Sequence, residues 1–125
     1  RKIILDYIFD NERPIYIQLV ELLEIDIVSG NLKSGERILS VRDLSVKYKV
    51  NPNTMQKALA ELEELKLIYT ERTNGKYVTS DSNLIKKYKE KYAKEKAYKY
   101  FSDMKELGFN SSNAITYLKS IGGNK

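Results

Sequence analysis

The sequence has no cysteine, no histidine and only two prolines in 125 residues. Without cysteine there are no disulfides and no thiolate metal sites, which fits a reducing cytoplasm. Without histidine as well, transition-metal binding, Cys or Ser–His nucleophilic chemistry and imidazole acid–base catalysis lose their usual residues. Only carboxylate, Lys or Tyr chemistry is left for an enzyme, and no pair of acids has an obvious shared pocket. No catalytic residue, metal site or cofactor is therefore expected. Long apolar runs are missing too. No stretch of about 18 apolar residues could span a bilayer, no secretory signal is visible, and no membrane partner is expected. The chain opens on Arg1, so a natural start upstream is expected.

What is present is a 42% hydrophobic fraction, enough for a modest core, with 31% charged residues. At this length the chain makes one domain, or one small domain with an appendage. The net charge of +5 invites a nucleic-acid partner, but its location matters. Residues 1–80 carry 12 Lys+Arg against 12 Asp+Glu, a net of 0, whereas residues 81–125 carry 10 against 5, a net of +5. The argument for a partner must therefore rest on where individual charges fall.

The stretch from Val50 to Leu59 organises the rest. Asn51 is a good N-cap, because its side-chain oxygen can accept from a free N–H of the first turn. Pro52 then takes the first helical position, where its missing N–H costs nothing. Met55, Ala58, Leu59 and Leu62 form an apolar stripe, which leaves Asn53, Thr54, Gln56 and Lys57 on the exposed end. Amide, hydroxyl and ammonium groups at a helix start suit phosphates and base edges. Alone, the stretch is also an ordinary capped surface helix.

Its neighbours decide. Residues 1–13, with Ile3-Ile4-Leu5 and Tyr7-Ile8-Phe9, read as a short strand or an ordered arm that should pack on something. Pro14 opens a helix to about Ser29, with an apolar face through Ile17, Val20 or Leu19, Leu23 or Glu24, and Ile27 or Val28, and Gly30 ends it. Glu36-Arg37-Ile38 can form one short strand. Ser40 caps a second helix, with Asp43 three residues on and Leu44 and Tyr48 inward. A tight turn at Lys49-Val50 leads to the third helix, which ends near Lys66. Residues 67–71 and 76–79 read as strands around Thr73-Asn74-Gly75, a strong hairpin signal. A helix-turn-helix followed by a hairpin is the winged-helix pattern. Beyond Asp81 a Lys/Tyr-rich helix runs from Asn83 to Leu107, Gly108 stops it, and a last helix capped by Ser111 or Ser112 follows.

In a winged helix, Arg37, Arg42, Lys47, Lys57, Arg72 and Lys76 share one surface. Glu21, Glu24, Asp26, Glu61, Glu63 and Glu64 fall behind it, so the neutral total conceals a dipolar domain. Several motifs in register then point to a family. Pro14-Ile15-Tyr16, the run from Ser29 to Ile38, Ser40-Val41-Arg42-Asp43-Leu44, Val50-Asn51-Pro52-Asn53-Thr54 and Gly75-Lys76-Tyr77-Val78 resemble the DNA-binding domain of GntR-family transcription regulators. The Asn-Pro-Asn-Thr run and the short helical tail resemble the YtrA subfamily.

The resemblance implies that Arg42 holds a phosphate or a base from the second helix. It implies that Asn51, Asn53 and Thr54 meet DNA at the start of the third, and that the wing tip around Gly75 approaches the minor groove. With the basic and polar neighbours, the expected DNA-binding set is Arg37, Ser40, Arg42, Asn51, Pro52, Asn53, Thr54, Gln56, Lys57, Arg72, Asn74, Gly75 and Lys76. The sequence departs from the family pattern at Leu39, where proline is common, and at Thr73, where glycine is frequent. Many relatives outside the subfamily carry arginines where Pro52 and Gln56 stand. Arginine is the commonest guanine reader, so no consensus operator is transferred.

The tail could offer a second nucleic-acid stripe through Lys86, Lys87, Lys89, Lys91, Lys94, Lys96 and Lys99. The favoured reading is a solvated helix whose apolar seam packs on another subunit, through Tyr88, Tyr92, Ala97, Phe101, Met104, Leu107, Ile115 and Leu118. Two helices are small for a closed effector cavity, and no residue declares a small-molecule effector. The expected architecture is mainly α with a small β-hairpin: an arm over 1–13, a winged helix-turn-helix over 14–80 and a two-helix dimerisation tail over 81–125. The expected function is a cytoplasmic homodimeric regulator, a repressor in direction, bound to double-stranded DNA at an inverted repeat. The alternative is a winged-helix protein–protein interaction module.

Overall fold

The computed structural model describes residues 9–122, so the part of the N-terminal arm before Phe9 lies outside the described residues. The elements follow in the order α1 (Ile15–Ser29), α2 (Val41–Tyr48), α3 (Pro52–Glu64), β1 (Ile68–Glu71), β2 (Gly75–Val78), α4 (Ser82–Glu106) and α5 (Ser111–Ile121). They form two compact units, one reaching to Lys89 and the other starting at Glu90. No helix among the described residues is long and apolar enough to cross a membrane.

The first unit is a winged helix. Leu19, Val20, Leu23 and Ile27 of α1 meet Met55, Ala58, Leu59 and Leu62 of α3 in one buried cluster, which Leu44, Leu67, Ile68 and Val78 complete. Three-to-four spacing puts each set on one helix face, so burying it removes most of the apolar surface these elements own. Pro14 precedes α1 as its N-cap residue, in extended conformation. Leu84, Ile85 and Tyr88, in the first turns of α4, pack against the same core.

Helix ends explain the tight connections. Gly30 and Gly108 end α1 and α4 with positive φ, as glycine allows without steric cost. At α2 and α3, lysines do the same work: Lys49 has φ 57 and Lys66 φ 69. The Lys49 N–H donates to the Val46 carbonyl and the Val50 N–H to the Ser45 carbonyl, so the turn before α3 closes by paired reversed hydrogen bonds. The first turn of α5 is capped by Asn110, whose side chain accepts from the Asn113 N–H at 2.8 Å. The cap expected at Ser111 or Ser112 thus lies one residue earlier, because the amide oxygen reaches the same N–H and frees both serines for the helix.

Two buried polar side chains on α1 interrupt the apolar face, Gln18 and Glu24. Gln18 has a definite task. Its Nε2 donates to the carbonyls of Asp10 and Arg13 at 3.0 and 2.9 Å, and its Oε1 accepts from the Asp10 N–H at 3.0 Å. The described end of the arm is thereby fixed to α1, with Phe9 against the core.

In the hairpin, Ile68 pairs with Val78, Tyr69 with Tyr77, Thr70 with Lys76 and Glu71 with Gly75. Arg72, Thr73 and Asn74 form the loop. The Asn74 N–H returns to the Glu71 carbonyl, and Gly75 with φ 96 absorbs the bulge that follows such a turn. Glu36-Arg37-Ile38 lies along the other edge of β2. The Ile38 N–H donates to the Lys76 carbonyl and the Val78 N–H to the Glu36 carbonyl, both at 2.9 Å, and Arg37 bridges Tyr77. The expected strand is thus a single bridge.

One half-buried tyrosine links helices α1 and α2. Tyr48 Oη lies 3.5 Å from Asp26 Oδ2, and burial first, then the Asp26 charge, pushes its pKa up to about 12 from 10.0. A phenol with a raised folded pKa contributes stability that is complete below the unfolded value and fades as pH rises through the folded one. Stability is therefore expected to fall between about pH 10 and about pH 12. Tyr48→Phe should show a shallower fall there, read as the difference in urea midpoint between about pH 9 and about pH 11.

Candidate nucleic-acid interface

The start of α3 is built as its sequence dictates. Asn51 accepts from the Asn53 N–H at 2.7 Å, and Pro52 occupies the first turn. The stripe behind it is anchored, with Met55 and Ala58 fully buried. Asn51, Pro52, Asn53, Gln56 and Lys57 are consequently exposed, and Thr54 is half-buried. Rigid backing with a polar tip is what a reading helix needs, because the backbone that carries the contacting side chains is ordered before binding.

Ser40 caps α2 by accepting from the Asp43 N–H at 3.1 Å. That places Arg42 on an exposed first turn. Between this turn and the wing lies an open depression of about 500 Å3, lined by Arg37, Ser40, Val41, Asp43, Gly75 and Lys76 among others. Four of the expected DNA-binding residues therefore meet here. The Arg37 guanidinium rests against Gly75. A β-carbon at position 75 would stand 3.1 Å from Arg37 Nε. Glycine is favoured there by its φ, and a β-carbon would also ask the Arg37 side chain to give way by a few tenths of an ångström. Arg72 and Asn74 are exposed at the wing tip.

Two expected contacts are engaged within the protein. Lys57 Nζ stands 4.1 Å from the centre of the Tyr16 ring, a cation–π contact back to α1. Lys76 Nζ forms an ion pair with Glu63 at 3.1 Å and also donates to Thr70 Oγ1 at 2.9 Å. The simple division into a basic front and an acidic back needs correction for the same reason. Glu63 meets Lys76 directly, and Asp26 lines one cavity of about 290 Å3 together with Arg37 and Lys47. Glu63, Thr70, Tyr16 and Asp43 were absent from the expected site. Tyr16 and Asp43 stand within the motifs that carry the resemblance, and period-2 alternation places Thr70 on the same hairpin face as Lys76 once the register is known.

In the second unit, Met104 is buried and Phe101 half-buried, whereas Leu107, Ile115, Leu118 and Ile121 are exposed. Tyr92 is half-buried and Ala97 exposed. Tyr88 belongs to the first unit, against whose core it packs.

The family model for bacterial regulatory proteins of the gntR family matches residues 15–78. The chain belongs to the GntR family. It is a transcriptional regulator of that family, and the matched span covers α1 to β2, which contain the exposed α3 tip and the wing. Along almost its whole length it is similar to the uncharacterized HTH-type transcriptional regulator YhcF of Bacillus subtilis (strain 168). The identity is 29% over 117 residues, covering 94% of this chain and 97% of that one. The HTH-type transcriptional repressor YtrA of the same organism is 36% identical over 69 residues, covering 55% of this chain and 53% of YtrA. Among solved structures, a GntR family transcriptional regulator from Listeria monocytogenes matches with a TM-score of 0.79 and 42% identity. It covers 90% of this chain and 99% of that one. These relatives are named regulators, and none is named as an enzyme.

Proposed function

We propose that this GntR-family chain is a sequence-specific repressor that binds an inverted-repeat operator as a homodimer. The observation that carries it is the pairing of a capped, exposed α3 start with a glycine-tipped wing in one winged helix. In this reading Asn51, Asn53, Thr54 and Gln56 enter the major groove. Arg42, Arg37 and the N-terminal turn of α2 hold phosphates, and Arg72, Asn74 and Gly75 approach the minor groove. The fold is compatible with that placement: the DNA-binding domain of AraR, similar at 22% identity and a TM-score of 0.51, was solved in complex with its operator.

The exposed Leu107, Ile115 and Leu118, with Ile121 beside them, support pairing of two subunits through their C-terminal helices. Two-fold symmetry then demands half-sites about one helical turn apart, or a multiple of it. Repression is the direction supported by the likeness to YtrA, and the compartment is the bacterial cytoplasm, where the operator is.

Selection of bound fragments from the source genome is the direct test, and an inverted repeat is expected. If each subunit neutralises about 4 phosphates, the dimer's log–log salt slope should be roughly −7. Asn53→Ala should change sequence preference at one position of each half-site by about 1–3 kcal/mol. Equal weakening on every sequence would remove Asn53 from base reading, and recovery of no fragment at all would remove the DNA-binding proposal.

A further inference from the structure

Lys76 was expected to contact DNA, yet its ammonium sits in a closed ring. The Thr70 hydroxyl donates to Glu63 Oε2 at 2.6 Å. Lys76 Nζ donates to Thr70 Oγ1 at 2.9 Å and to Glu63 Oε1 at 3.1 Å. Each member bonds both others, and the three come from β1, β2 and the last turn of α3. Thr70 and Lys76 face each other across the hairpin, so one carboxylate grips both strands. The Thr70 hydroxyl, opposed by partial burial and helped by Lys76, holds the Glu63 carboxyl below the usual carboxylate range.

A regulator that uses both α3 and the wing must present them to the duplex at one fixed angle. Two strands of four residues each are marginally stable alone, and a hairpin free to swing would lose affinity through the order it gains on binding. We infer that Glu63, Thr70 and Lys76 form a brace that sets the angle between α3 and the wing, and that the Lys76 charge serves this brace and not a phosphate. The inference rests on the DNA-binding reading proposed above. It makes Glu63 and Lys76 positioning residues. A lysine already paired with a carboxylate holds no phosphate counterion in the complex, so its loss leaves counterion release unchanged.

The test uses a fragment recovered by the selection above and measures affinity against KCl concentration, with Arg42→Ala as reference. Lys76→Met and Glu63→Ala should each weaken binding about tenfold, and the double variant should be no weaker than either single one. Both should keep the wild-type salt slope, whereas Arg42→Ala lowers its magnitude by about 1 per subunit. In the free protein, both should also speed amide exchange across residues 69–77. Three results would overturn the brace: a slope flattened by Lys76→Met as by Arg42→Ala, tighter binding by Glu63→Ala, or unchanged amide protection in the wing. If the wild type binds no fragment, the DNA-binding reading fails and the brace is decided by exchange alone.

Discussion

Leu59→Ala is expected to destabilise the winged helix by about 2–5 kcal/mol. Leu59 is 1% exposed and sits in the α3 stripe among Met55, Ala58 and Leu62, in the cluster shared with α1. Truncation removes the transfer free energy of three carbons and leaves a cavity that close-packed neighbours fill only in part. The unit is small, so the melting temperature should fall by at least about 10 °C, read by circular dichroism. Asn53→Ala, on the exposed tip of the same helix, should stay within about 0.5 kcal/mol of wild type. A Leu59→Ala loss below about 1 kcal/mol would mean that α1 and α3 are not packed as described.

Arg42→Ala should weaken binding to every duplex, on the order of 100-fold for a dimer that loses two charge-assisted contacts of about 1.4 kcal/mol each. The side chain lies on an exposed turn ordered by the Ser40 cap, so its removal leaves the fold intact. Because a phosphate contact carries no sequence information, the preference among fragments should stay the same while the salt slope flattens. A change in preference with an unaltered slope would instead make Arg42 a base reader. Filter-binding or anisotropy titrations at several salt concentrations separate the two.

Much of this architecture was legible because local chemistry announces it. Asn51-Pro52, Ser40 with Asp43, Gly30 and Gly108 mark helix ends by their own side chains or by lacking one. The stripe from Met55 to Leu62 declared its buried face by spacing. What escaped was set at long range. Nothing local marks Lys49 and Lys66 as left-handed residues. Lysine pays about 1–2 kcal/mol there, and only the tertiary turn makes it worthwhile. The ion pair of Lys76, a residue expected at the DNA, is invisible locally because its partner Glu63 lies 13 positions away and on another element. Gln18 resembled any polar residue on a helix flank, yet it is 1% exposed and ties down the chain eight residues earlier.

That amide has a consequence for how the protein behaves in brine. Grip on a phosphate chain dissolves as ionic strength climbs, but the bonds of a neutral carboxamide to main-chain groups are little screened, unlike the Arg13–Glu21 ion pair that holds the same stretch at 2.9 Å. Concentrated salt should therefore strip the regulator from its operator and loosen Arg13 from Glu21, while the bonds of Gln18 to Asp10 and Arg13 keep residues 10–13 on α1.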